Sequence, residues 1–247
     1  MDIYGLVGFP LKHSFSRKFF TEKFARENID AQYLNFEIPD IAQFPGIIAA
    51  NPDLRGLNVT IPYKEKVIPY LDELDPQAQE IGAVNVIRVE KEGSETRLVG
   101  YNSDLLGFQN SIAPILRPEI HRKALILGTG GASKAVRCGL KNLGLETKFV
   151  SRRAAQGQFS YSDLNKEVLS EYNVIVNTTP LGTFPNVEEA PEIPYDLLGE
   201  ENLLFDLVYN PEETKFLKLG KNKNATTKNG AKMLELQAIA AWEIWNK

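Results

Sequence analysis

Apolar positions along this chain recur in two periods, and the two take turns. Short apolar runs at Ile3–Val7, Tyr33–Phe36 and Gly56–Val59 read as strands, and Arg17–Glu27 between the first two reads as a helix ending near Asn28. Pro62 is well placed in the first turn of a further helix, where its missing N–H costs nothing. Val84–Val89 and Arg97–Gly100 predict a hairpin around the polar stretch Glu90–Ser94. From Asp104 a helix is predicted to about Leu116, with Leu105, Phe108, Ile112 and Ile115 on one stripe. Ala124–Leu127 is fully apolar, as in a strand buried on both faces of a parallel sheet. Ala132, Ala135, Val136, Leu140 and Leu143 then fall at helical spacing, Gly144 ends that helix, and Thr147–Val150 and Val174–Val176 read as strands. Strands alternating with helices predict an α/β fold, with a domain boundary at the Asp104 helix and no internal repeats.

Composition narrows the function classes. The 247 residues are 43% apolar and 24% charged, ordinary for a soluble globular protein of one large or two medium domains. A net charge of −4 and the lack of a long basic run argue against a nucleic-acid surface. The single cysteine, Cys138, forms no intrachain disulfide and suits a reducing compartment, so the expected location is cytoplasmic. One cysteine with only His13 and His121 makes a metal cluster of those types an unpromising expectation. No apolar run approaches the roughly 20 residues that span a bilayer, and the start of the chain is too short and too acidic for a signal peptide.

The glycine turn carries the first chemical signal. Gly128-Thr129-Gly130-Gly131-Ala132-Ser133 follows a strand and opens a helix, which is how a dinucleotide site reads. Gly128 and Gly130 let backbone N–H groups approach a pyrophosphate at the helix N-terminus, and Ser133 is small enough for close packing. The next strand ends in Ser151-Arg152-Arg153, where an NAD site would place a carboxylate. Guanidinium groups there suit a 2′-phosphate and point to NADP. Val174–Val176 runs into Asn177-Thr178-Thr179-Pro180-Leu181-Gly182, small polar residues at the ligand-binding edge of such a sheet.

In the first half, Ser, Thr and Asn stand where a bland surface would carry charges. Ser14 and Ser16 precede or open a helix, and either alone reads as an N-cap. Asn58 and Thr60 share a face at a strand end, while Asn85 closes an apolar run in which an amide needs a partner. Jointly they suit a cavity for a small hydroxylated or carboxylated molecule. Lys64 closes Asn58-Val59-Thr60-Ile61-Pro62-Tyr63-Lys64 and Asp104 closes Asn102-Ser103-Asp104, a candidate proton-transfer pair.

These segments resemble those of the shikimate dehydrogenases, and the resemblance runs in order over nearly the whole chain. It includes Gly82-Ala83-Val84-Asn85, Asp206-Leu207-Val208-Tyr209-Asn210-Pro211, and Asn229-Gly230-Ala231-Lys232-Met233-Leu234 with Gln237. It implies an N-terminal α/β substrate domain at 1–103 and a Rossmann-type, doubly wound NADP-binding domain at 104–229, with a cleft between them. The helix at 230–247 would pack back on the first domain. It further implies reversible NADP-linked interconversion of shikimate and 3-dehydroshikimate on the way to chorismate and the aromatic amino acids, in a monomer or homodimer.

By motif, Ser14, Ser16, Asn58, Thr60, Asn85 and Gln237 would hold substrate, with Tyr209 near the same pocket. Lys64 would move the proton, and Asp104, at a helix N-terminus whose dipole favours an anion, would orient it and grip a substrate hydroxyl. The cofactor would meet Gly128, Thr129, Gly130, Gly131, Ala132, Ser151, Arg152, Arg153, Thr178, Leu207 and Gly230. Gln237 has support of its own: it lies on a helical stripe with Met233, Ala240 and Ile244, where an unpartnered amide is expensive. The chain departs from the family at Ser151, where Asn is usual, at Thr183, where Met is common, and in a short segment from Arg153 to Asn173. A relative of broader specificity that also takes quinate, and a non-catalytic metabolite sensor on the same scaffold, are the alternatives. The sensor is disfavoured because Lys64 and Asp104 are both present.

Overall fold

The computed structural model describes residues 1–11, 15–93 and 95–247. The chain divides into two compact units, Met1–Ser103 with Gln237–Lys247, and Asp104–Leu236.

The first unit is built on β1 (Asp2–Gly8), α1 (Phe15–Glu27), β2 (Ala31–Glu37), α2 (Phe44–Ala50), β3 (Leu54–Val59), β4 (Glu73–Leu74), α3 (Pro76–Ile81), β5 (Val86–Glu92) and β6 (Glu95–Tyr101). Its mixed sheet has the order β2-β1-β3-β5-β6-β4. The first three strands are parallel, and the β5–β6 hairpin joins β3 antiparallel. Side chains alternate between two cores, as strand geometry requires. Val7, Leu57, Val59, Ile87 and Val89 face one core with Phe44 and Ile47 of α2. Tyr4, Leu6, Tyr33 and Val86 face the other, with Phe20 and Phe24 of α1. The end of the last helix completes that second face: Trp245 lies 4.9 Å from the Tyr4 ring and 5.0 Å from the Phe20 ring, and its indole donates to the Ile87 carbonyl at 3.1 Å.

The second unit holds α4 from its second residue (Ser103–Ile112), β7 (Lys123–Leu127), α5 (Gly131–Asn142), β8 (Glu146–Val150), α6 (Lys166–Glu171), β9 (Val174–Asn177), β10 (Leu203–Asp206), α7 (Lys215–Lys221), β11 (Thr226–Lys228) and the start of α8 (Ala231–Trp245). All five strands are parallel, in the order β11-β10-β9-β7-β8. The chain steps outward from β7 to β8 and then returns across β7 to β9, the doubly wound pattern whose switch point lies between β7 and β9. Leu125, Leu127, Ile175 and Leu204 pack on α6 and α7, while Ile126, Val174, Val176 and Phe205 pack on α4 and α5. Both faces are thus covered, which is why these strands read as unbroken apolar runs. Beyond β8, Phe159 makes a parallel bridge to Val150 before α6 begins.

Two predicted helices are corrected. Pro62 opens turns rather than a helix. The Lys64 carbonyl, which a helix would give to residue 68, accepts instead from Val84 N at 2.7 Å, so Ile68 N turns to Glu65. The Asp104 helix stops at Ile112 and continues as a tighter 3₁₀ turn over Ala113–Ile115, because Pro114 has no N–H to extend the α ladder.

Candidate functional site

In the second unit a cavity of about 950 Å³ opens at the C-terminal edge of the parallel sheet. Its floor is the β7–α5 turn. Gly128 takes φ +103, which L side chains rarely adopt, and a Cβ there would come within 3.0 Å of Thr178 Oγ1 and Thr179 Cγ2. Gly130 is the N-cap of α5 and brings no side chain to cap it; the Ser133 hydroxyl donates to the Gly130 carbonyl at 2.6 Å. The N-terminus of a 12-residue helix therefore meets the cavity with bare backbone and a positive dipole end, which fits a pyrophosphate.

Of the residues expected to meet cofactor, Gly128, Thr129, Gly130, Ser151, Arg152 and Thr178 line this one cavity. Thr178 is fixed by donating its hydroxyl to the Leu127 carbonyl at 2.7 Å. Gly131, Ala132, Arg153, Leu207 and Gly230 do not line it; Gly131 and Ala132 lie in the first turn of α5, and Arg153 is exposed just beyond Arg152. Leu207 and Gly230 sit against each other: a Cβ on Gly230 would collide with the Leu207 carbonyl, so only glycine fits. Tyr209 is exposed in the same unit.

Sequence reasoning missed part of the lining. Tyr161, Glu188, Glu189, Glu192 and Tyr195 also face the cavity, from loops distant in the chain. Burial pushes the Tyr161 hydroxyl up; Arg152 acts against that shift and Glu192 with it, so opposite charges bear on the wall beside the arginine.

The first unit gathers the hydroxyl and amide residues. The Tyr33 hydroxyl, buried and pushed far up by burial, donates to Asn58 Oδ1 at 2.7 Å and accepts from the Ser16 hydroxyl. Asn58 Nδ2 donates to the Asn85 carbonyl at 3.4 Å. The Asn85 side chain accepts from Ser103 N at 2.7 Å, and its Nδ2 donates to Ser103 Oγ at 3.1 Å and to Gln237 Oε1 at 3.4 Å. Ser16, Asn58, Asn85 and Gln237 therefore belong to one connected set. Ser103, inside the Asn102-Ser103-Asp104 motif, is a link in it that was not among the expected site residues, and Tyr33 is a link that no local motif signals. Thr60 lies half-buried just past β3, its N–H bonded to the Val7 carbonyl at 2.9 Å. Lys64 is half-buried in the turn that follows. Ser14 lies outside the described residues. Asp104 is buried in the first turn of α4. Among the described residues no group of His, Cys, Asp and Glu is placed to hold a metal ion, and no helix is long and apolar enough to cross a membrane.

A family model described as the shikimate dehydrogenase substrate binding domain matches residues 6–87. The NADP(+) shikimate dehydrogenase of Aquifex aeolicus is 39% identical over 258 residues, covering 99% of this chain and 91% of that protein. That of Clostridium beijerinckii is 38% identical over 259 residues, covering 100% and 93%. Among solved structures, the Thermus thermophilus shikimate 5-dehydrogenase in complex with NADP(H) and shikimate superposes with a TM-score of 0.86 at 30% identity, covering 99% and 93%.

Proposed function

The chain belongs to the shikimate dehydrogenase family, and we propose that it catalyses the reversible NADP-linked oxidation of shikimate to 3-dehydroshikimate. The observation that carries this reading is the cavity formed by the glycine turn, Thr178 and Arg152 at the switch point of a parallel sheet. NADP, when bound, supplies the hydride acceptor, and NADPH the donor in the reverse direction. The backbone N–H groups at the start of α5 would hold its pyrophosphate, and Arg152 with Arg153 would meet its 2′-phosphate. Leu207 and Gly230, packed against each other, would meet the cofactor, with Gly230 near its nicotinamide.

Substrate is held by Ser14, Ser16, Asn58, Thr60, Asn85 and Gln237, with Tyr209 at the same ligand. The support for Ser16, Asn58, Asn85 and Gln237 in this grouping is the hydrogen-bonded chain from Ser16 through Tyr33 and Asn58 to Asn85 and Gln237. As the ketone is reduced, negative charge develops on its oxygen; Lys64 donates the proton there and withdraws it in the oxidative direction. Asp104 grips a substrate hydroxyl with its carboxylate.

The test follows nicotinamide absorbance with shikimate or quinate, each against NADP and NAD. Turnover with shikimate and NADP is expected. Absence of turnover in all four combinations would overturn the enzyme reading.

A further inference from the structure

Asp206 has no part in the chemistry just described, yet it is a fully buried carboxylate at the end of β10. Its Oδ1 accepts from Asn177 Nδ2 at 2.9 Å and from Val208 N at 3.0 Å, and its Oδ2 accepts from Thr214 Oγ1 at 2.6 Å. No cation is among these partners. Burial pushes its pKa up to about 6, against the pull of all three hydrogen bonds. A carboxylate without an ion pair in a core is costly, and an apolar side chain would pack there at less expense.

Two of these partners, Asn177 and Thr214, lead to different parts of the cofactor cavity, and Val208 leads to Gly230, which does not line it. Asn177 points its amide nitrogen at Asp206, which turns its Oδ1 toward Thr179, where it accepts from N at 3.0 Å and from Oγ1 at 2.6 Å. Thr179, Pro180 and Leu181 line the cavity. Thr214, its hydroxyl hydrogen committed to Asp206, caps α7 by accepting from Leu217 N at 3.4 Å. Lys215 and Leu219, carried by α7, line the cavity too. Val208, fixed through its N–H, accepts from Gly230 N at 3.2 Å.

We infer that Asp206 is a positioning residue for cofactor binding, its carboxylate tying the Thr179–Leu181 and Lys215–Leu219 walls to one spacing before the dinucleotide arrives. The inference rests on the cofactor reading above. Walls ordered in advance spare the ligand the entropy of ordering them, so the effect falls on affinity. The role is one of hydrogen-bond geometry rather than charge. An asparagine could fill it: its oxygen would accept from Asn177 and Val208, and its amide would donate to a Thr214 hydroxyl turned to accept.

The experiment is NADPH titration by the fluorescence of the bound nicotinamide, with steady-state rates alongside. Asp206→Ala leaves three buried donors unpaired and is expected to raise the NADPH Kd by at least about tenfold. Its kcat at saturating cofactor is expected within about threefold of wild type, since the lost interaction acts on binding. Asp206→Asn is expected to bind within about threefold of wild type. If Asp206→Ala does not fold, Thr214→Val cuts one tie alone: it is expected to weaken NADPH several-fold, with Thr214→Ser restoring affinity. Unchanged affinity in Asp206→Ala or Thr214→Val would overturn the inference, as would a loss in Asp206→Asn as large as in Asp206→Ala. Wild-type protein that does not bind NADPH would overturn the cofactor reading itself and this inference with it.

Discussion

Tyr33→Phe removes one oxygen atom from the first unit and leaves everything else in place. The ring is buried and stacked on Phe20 at 5.0 Å and 12°, so its packing survives the change and no side-chain-sized cavity opens. What goes is the 2.7 Å bond to Asn58 Oδ1 and the acceptor for the Ser16 hydroxyl. Leaving two sheltered polar groups without this partner costs about 1–2 kcal/mol of folding stability. Burial holds the Tyr33 hydroxyl in its protonated form across the working pH range, so the missing donor is missing at every pH assayed. If Ser16 and Asn58 hold substrate, the freed Asn58 amide and Ser16 hydroxyl must be ordered by shikimate itself. The expected result is a rise of about tenfold in KM for shikimate, equivalent to about 1.4 kcal/mol, with kcat and the KM for NADP within about twofold of wild type. Initial rates at saturating NADP, with urea unfolding of the same preparation, measure both quantities. A KM for shikimate indistinguishable from wild type in a variant of normal stability would refute the reasoning.

Three further outcomes are expected. Lys64→Ala lowers kcat by at least about 100-fold with little change in KM, the signature of lost acid–base catalysis; near-normal turnover would remove Lys64 from the mechanism. Replacing Arg152 and Arg153 together by Ala raises the KM for NADP by about ten- to a hundredfold and leaves that for NAD nearly unchanged, since only NADP carries the phosphate; equal effects on both cofactors would reject the assignment. Asp206 shapes the pH dependence of stability. Its pKa is raised in the fold from 3.8 to about 6, so ionisation is penalised there. Its contribution is complete below about pH 4, falls by about 3 kcal/mol as pH rises to about 6, and is constant above. The stability difference between wild type and Asp206→Asn in urea should fall across that window; a difference that rises with pH would contradict the sign.

Much of the fold and site could be read from short stretches of sequence. The two hydrophobic periods place β1, α1, β3, β7, α5, β8 and β9 to within a few residues, because the alternation of faces is a local property. The β7–α5 glycine turn is equally local: Gly128 has a backbone conformation that its own residue type permits, and it opens a helix where the pattern expects one. Pro62 shows where locality fails. Its turn is decided by Val84 N, a partner twenty residues away that takes the Lys64 carbonyl from a would-be helix.

The connections that organise the site came only from the tertiary structure. Tyr33 and Asn58 meet because β2 and β3 flank β1, which puts their side chains on one face, one strand apart. Asn177 and Asp206 are register partners on β9 and β10, and Thr214 joins them when the chain turns back from that edge. A hydrogen bond between residues far apart in sequence has no period and no motif. It exists only once strand order and register have been fixed by burying the apolar faces. The sequence by itself determined the elements, the glycine turn, the arginines beside it and the polar segments of the first half. Which polar groups share a carboxylate or a hydroxyl was decided by packing, because burial sets the cost of leaving each one unpaired.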